Sequence, residues 1–87
     1  MAIANKKNDE KIAQVIDLLK ELENDSTVPR NVKLKMANAE KALLEEHEIS
    51  LKVHKALNEL DEISDDANMQ PYTRTQVWNI VSVLESL

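Results

Sequence analysis

The chain contains no glycine, no cysteine and no phenylalanine; one tyrosine and one tryptophan are its aromatic residues, and two prolines its helix breakers. Without cysteine there are no disulfides, no thiolate metal ligands and no thiol nucleophile, and the redox compartment is left undetermined. Without glycine a phosphate-cradling loop and a calcium loop with its obligatory glycine are both excluded. A helix that ends in a left-handed turn must then use Asn, Asp or His, so Asn24, His47, Asp66 and Asn68 are the candidates for chain reversal. Few β-branched runs and few aromatics argue against a sheet. No apolar run approaches the ~18 residues of a membrane span. The opening "MAIANKKNDEK" lacks the apolar stretch of a secretory signal.

What is present is charge and aliphatic residues. The 87 residues are 43% apolar and 31% charged, with a net charge of −5, the balance of one soluble helical domain. A chain this short buries only about 60–65% of its extended surface, so self-association is an expected source of stability. Its acidity opposes nucleic acid and anionic lipid at long range.

Apolar spacing marks four helical segments. Ile12, Val15, Ile16, Leu19 and Leu22 share a face over Asp9 to Glu23, with Asn8 as the expected N-cap. A second segment starts between Val28 and Arg30, with Pro29 in its first turn, and turns Val32, Met36, Ala39 and Leu43 inward. The third runs from about Ile49 to Ile63 with Val53, Ala56, Leu57 and Leu60 on its stripe. If the second and third were one continuous helix, their stripes would differ in phase by roughly 90°. The phase therefore places a break between Glu45 and Glu48, with His47 or Glu48 taking the turn. The fourth runs from about Tyr72 to near the end, with Asn68 as a cap. "LKEL" at 19–22 and "LNEL" at 57–60 each precede an acidic loop, a proline and a further helix, a weak internal echo. The expectation is all-α: a compact antiparallel four-helix arrangement of two αα-hairpins over residues 9–87, behind a flexible segment 1–8.

Site chemistry is sparse. His47 and His54 are seven positions apart, about 10 Å along a helix, too far to share one ion. Glu45, Glu46 and Glu48, Asp61 and Glu62, and Asp65 and Asp66 fall in hydrophilic runs and read as solvated surface. No serine sits in a nucleophile motif. No catalytic, metal or cofactor site is expected, and the chain is read as a non-enzyme. Arg30, Lys33 and Lys41 lie on the second helix away from its apolar stripe. Arg30 and Lys33 either pair with Glu21, Glu23 and Asp25 or, together with Lys41, form an anion patch at the helix start.

The last segment, "PYTRTQVWNIVSVLESL", carries the strongest signal. Val77, Ile80, Val81, Leu84 and Leu87 form an inward stripe, which Val83 widens on one side and Trp78 on the other. The apolar arc reaches roughly 220°, well beyond the ~100° a surface helix uses. Arg74 and Trp78, four apart, are expected to bring guanidinium and indole together. Trp78 is either core or interface. The interface reading makes Arg74, Trp78, Val81 and Glu85 the candidates for self-association as a homodimer, with a protein partner as the other option. The alternative function is nucleic-acid or anion binding through Arg30, Lys33 and Lys41, and no membrane partner is expected.

"VPRNV" at 28–32, "LDEIS" at 60–64 and "TRTQVWNIVSVLES" at 73–86 together resemble a family of small archaeal proteins, uncharacterised protein family 0147. The similarity runs from about residue 12 to the end. It implies an all-helical fold and a cytoplasmic archaeal protein. It brings no activity, so no catalytic or binding residue is carried over.

Overall fold

The computed structural model describes residues 6–87. The stripe of Ile12, Val15, Leu19 and Leu22 is buried along α1, Lys6–Glu23. Asn8 therefore lies inside this helix rather than capping it; of the segment expected as a lead, residues 1–5 lie outside the described residues. α2 spans Arg30–Leu44, α3 Ile49–Asp61 and α4 Pro71–Glu85. α1 packs on α2, α2 on α3, α3 on α4, and α4 returns to α1. Short connections make sequential helices antiparallel neighbours, so the all-α arrangement of four helices in two hairpins is the observed one. Among the described residues, no helix is long and apolar enough to cross a membrane.

The break between α2 and α3 falls where helical phase requires it. Glu45 (φ −70°, ψ 152°) and Glu48 (φ −58°, ψ 147°) leave helical angles, and between them the chain redirects its apolar stripe. The turn mechanism differs from expectation. No described residue has positive φ, so Asn24, His47, Asp66 and Asn68 make no left-handed turns. Instead an extended residue precedes each later helix: Pro29, Glu48 and Gln70 all have ψ near 150°. Pro29 thus sits at the N-cap of α2, and Gln70 rather than Asn68 at that of α4. Pro71 opens α4 at N1, where its missing N–H costs nothing.

The two longer of the three connections are built alike. Asp25 accepts the Thr27 N–H at 2.9 Å and the Thr27 hydroxyl at 2.7 Å. Asp66 accepts the Asn68 N–H at 2.8 Å and, on its other oxygen, the Asn31 amide at 2.8 Å. The backbone carbonyls of Asp25 and Asp66 accept from Val28 and Met69. Asp25 and Asp66 are 41 positions apart, and the core keeps that spacing. Val15 and Ala56, Leu19 and Leu60, Leu22 and Ile63, Val32 and Thr73, Met36 and Val77, Ala39 and Ile80, Leu43 and Leu84 are all buried. The internal echo is therefore real as a repeat of burial, but its register is corrected. Leu19 corresponds to Leu60, not to the leucine that opens "LNEL". The second loop looks longer because the stretch equivalent to the last turn of α1 leaves the helix after Asp61.

α2 and α3 are also joined by polar contacts. Lys35 Nζ lies 3.1 Å from Glu62 and 3.9 Å from Glu59, the Asn38 amide donates to Glu59 at 2.8 Å, and Lys55 meets Glu45 at 3.4 Å. Each such exposed pair contributes about 0–1 kcal/mol, so they fix register more than stability. Stability resides in the aliphatic core, where each fully buried Leu or Ile contributes about 1.5–3 kcal/mol.

Candidate interaction site

α4 buries Thr73, Val77, Ile80 and Leu84 and half-buries Val81 and Val83. Thr73 takes a core position that the apolar pattern left out. The widened arc resolves into two unlike edges. Val83 borders a shallow cleft with Gln14, Val15 and Leu18 of α1, so its side is covered within the chain. Trp78 is 60% exposed and Tyr72 63% exposed. The tryptophan is not core: it stands at the rim of the seam between α3 and α4.

That seam is a groove. One cleft of about 370 Å³ is lined by His54, Leu57 and Asp61 of α3, by Ser64, and by Trp78, Val81 and Glu85 of α4. A second of about 370 Å³ continues it through Ile49, Val53, Leu57, Leu84 and Leu87. The floor is aliphatic and the rim carries His54, Asp61, Glu85 and the indole. A further cleft of about 340 Å³ between α2 and α3 is polar, lined by Asn38, Lys41, Glu45, Lys55 and Glu59, most of them hydrogen-bonded or ion-paired to one another.

Arg74, Trp78, Val81 and Glu85 step by four, three and four along one face of α4, and the last three line the groove. Arg74 is turned elsewhere. Its guanidinium donates to the carbonyls of Asp66 at 3.1 Å and Ser64 at 3.4 Å, tying the helix to the loop that precedes it. This backbone clamp joins α4 to carbonyls of the loop that follows α3.

Arg30 and Lys41 are exposed and Lys33 half-buried, in a row spanning roughly 16 Å of α2 at 1.5 Å per residue. No ion pair within 4 Å involves them among the described residues. The expected pairing with Glu21 and Glu23 is therefore not formed; Lys33 contributes only at longer range, helping to hold down the Asp25 carboxyl. His47 lies exposed 3.8 Å from Glu45, and His54 is on the groove rim, away from it. Among the described residues no three His, Asp or Glu side chains come together as a metal site would need.

Sequence reasoning missed one cluster. Glu23, at the end of α1, meets Glu40 of α2. Burial first, then the hydrogen bond and charge of Glu40, push the Glu23 carboxyl up to about 7. The residues are 17 positions apart and no local pattern links them. Only the register of α1 against α2 brings them together.

The whole chain, residues 1–87, matches the uncharacterised protein family UPF0147. A UPF0147 protein of Methanocaldococcus jannaschii, MJ1419, is 45% identical over 84 residues, covering 94% of this chain and 90% of its own. Another, of Metallosphaera sedula, is 40% identical over 81 residues, covering 92% and 91%. The crystal structure of the unknown function protein MMP1188 superposes with a TM-score of 0.86 at 42% identity, over 91% of each chain. The family match over the whole chain, the identity to its members and the shared fold make this chain a member of UPF0147, an uncharacterised family with archaeal members.

Proposed function

We propose that the chain is a non-catalytic cytoplasmic interaction module that forms a homodimer through the outer face of α4. The observation that carries this is Trp78, which is 60% exposed beside an aliphatic groove. Scattered surface leucines such as Leu34 and Leu44 need no partner. A tryptophan bordering a continuous apolar seam is the composition of an interface centre.

A second copy is favoured over other occupants by the order of residues along α4. The midpoint between Trp78 and Val81 is also the midpoint between Arg74 and Glu85. Two antiparallel α4 helices related by a twofold through that point set each Trp78 on Val81 of the other copy. The same operation sets Arg74 opposite Glu85 of the other copy. The face is thus complementary to itself in shape class and in charge, as an isologous contact requires. Arg74 already serves two carbonyls, but guanidinium has five N–H donors and retains others. Tryptophan quenching tests this reading: iodide access to Trp78 should fall as protein concentration rises. Constant, full access at every concentration contradicts it.

The row of Arg30, Lys33 and Lys41 favours a second reading, anion binding. It is supported less well, because the net charge is −5 and the three side chains are exposed or half-buried on an open helix face.

A further inference from the structure

Glu23 Oε2 and Glu40 Oε1 are each shut off from solvent and have no hydrogen-bond donor among the described residues. The two carboxyls meet across the α1–α2 contact. Two ionised carboxylates are unstable in that position. A buried acceptor without a donor loses its hydration, and like charges repel at contact. One proton removes both penalties, because a neutral carboxyl donates to its ionised neighbour. We propose that Glu23 and Glu40 share a proton and form a pH-sensitive latch between α1 and α2, closed while the proton is held and loosened when it is lost.

The surroundings favour holding it. On α1, Lys20 favours the ionised form of Glu23, but burial and Glu40 outweigh it. Glu23 also ends α1, where a negative charge opposes the helix dipole. On α2, Lys41 follows Glu40 and is exposed, while Lys33 acts toward Asp25. On α3, packed against α2, and at its C-cap, Glu59 and Glu62 are held by Lys35, and Lys55 by Glu45. On α4, packed against α1, the charged residues are Arg74, held by the loop carbonyls, and exposed Glu85.

The second hairpin is a built-in comparison. Ser64 and Val81 stand 41 positions after Glu23 and Glu40. Ser64 donates to the Asp61 carbonyl and Val81 packs on the core, so the equivalent positions of that hairpin hold no carboxyl pair. The latch is independent of what covers α4.

The sign follows from linkage. The Glu23 carboxyl ordinarily titrates at 4.5 and in the fold at about 7, so the folded chain holds a proton that the unfolded chain has released. Stability therefore falls as pH rises across that window and levels off above it.

Thermal unfolding of the full chain and of Glu23→Gln, between about pH 5 and pH 8.5, tests the latch, with EDTA present and absent. The native chain should lose about 4 °C or more of Tm over that range. Glu23→Gln, whose amide donates at every pH, should lose much of this dependence and exceed the native chain at the alkaline end. Carboxyl carbon NMR of the native chain should show one glutamate titrating near 7, absent in Glu23→Gln. A flat native profile, a variant with the native slope, or a Glu23 midpoint in the usual carboxylate range overturns the proposal. So does an alkaline Tm that EDTA lowers only in the native chain, which would make the pair a cation site.

Discussion

Asp25 and Asp66 perform the same task 41 positions apart. Each accepts at Oδ1 the N–H of the residue two places on, and its own carbonyl accepts the N–H three places on. This side-chain turn reverses the chain between helices using only right-handed or extended backbone angles. It is the physical answer to a sequence without glycine.

Removing either aspartate should destabilise the fold in a pH-dependent manner. The Thr27 hydroxyl, and then the Thr27 N–H, hold the Asp25 carboxyl below its ordinary 3.8. The Asn31 amide, and then the Asn68 N–H, do so for Asp66. A depressed folded value contributes stability above the ordinary one and loses it as pH falls through the folded value. Asp66→Ala should therefore unfold at lower urea than the native chain at about pH 6, and the gap should narrow in acid below about pH 4. A gap independent of pH would show that the carboxylate's charge plays no part.

Leu60 and Trp78 should respond oppositely to truncation. Leu60 is fully buried, and Leu60→Ala should cost about 2–5 kcal/mol. Trp78→Ala, measured at a concentration where the chain is monomeric, should change stability by no more than about 0.5 kcal/mol. Urea unfolding followed by circular dichroism checks both. A large loss for Trp78→Ala would return the indole to the core.

These two residues also show where the sequence was legible. Leu60 and its stripe could be placed because helical period alone decides which side faces in. The break at Glu45 to Glu48 followed from the same phase arithmetic. Trp78 could not be settled, because an apolar arc records that a second edge exists and not which neighbour covers it. The hydrogen bonds of Arg74 to the loop carbonyls were not legible, because spacing along one helix says nothing of the loop before it. Glu23 and Glu40 were invisible, since their meeting depends on the axial register of two helices. The start of α1 was misplaced because Asn8 looked like a cap to a helix that includes it.

The basic row on α2 should bind RNA weakly and without selectivity. Filter binding at about 50 mM salt should show little retention, and Arg30→Ala with Lys33→Ala should change it little. Tight binding that weakens steeply with salt and is lost in the double variant would make the anion reading the better one.

Dimerisation through α4 is tested most directly by sedimentation equilibrium of the native chain across a wide concentration range. The monomer is 9.9 kDa. A twofold α4 contact requires the weight-average mass to rise toward twice that value, and to stay at the monomer value in Trp78→Ser. A native chain that remains a clean monomer at high concentration would contradict it.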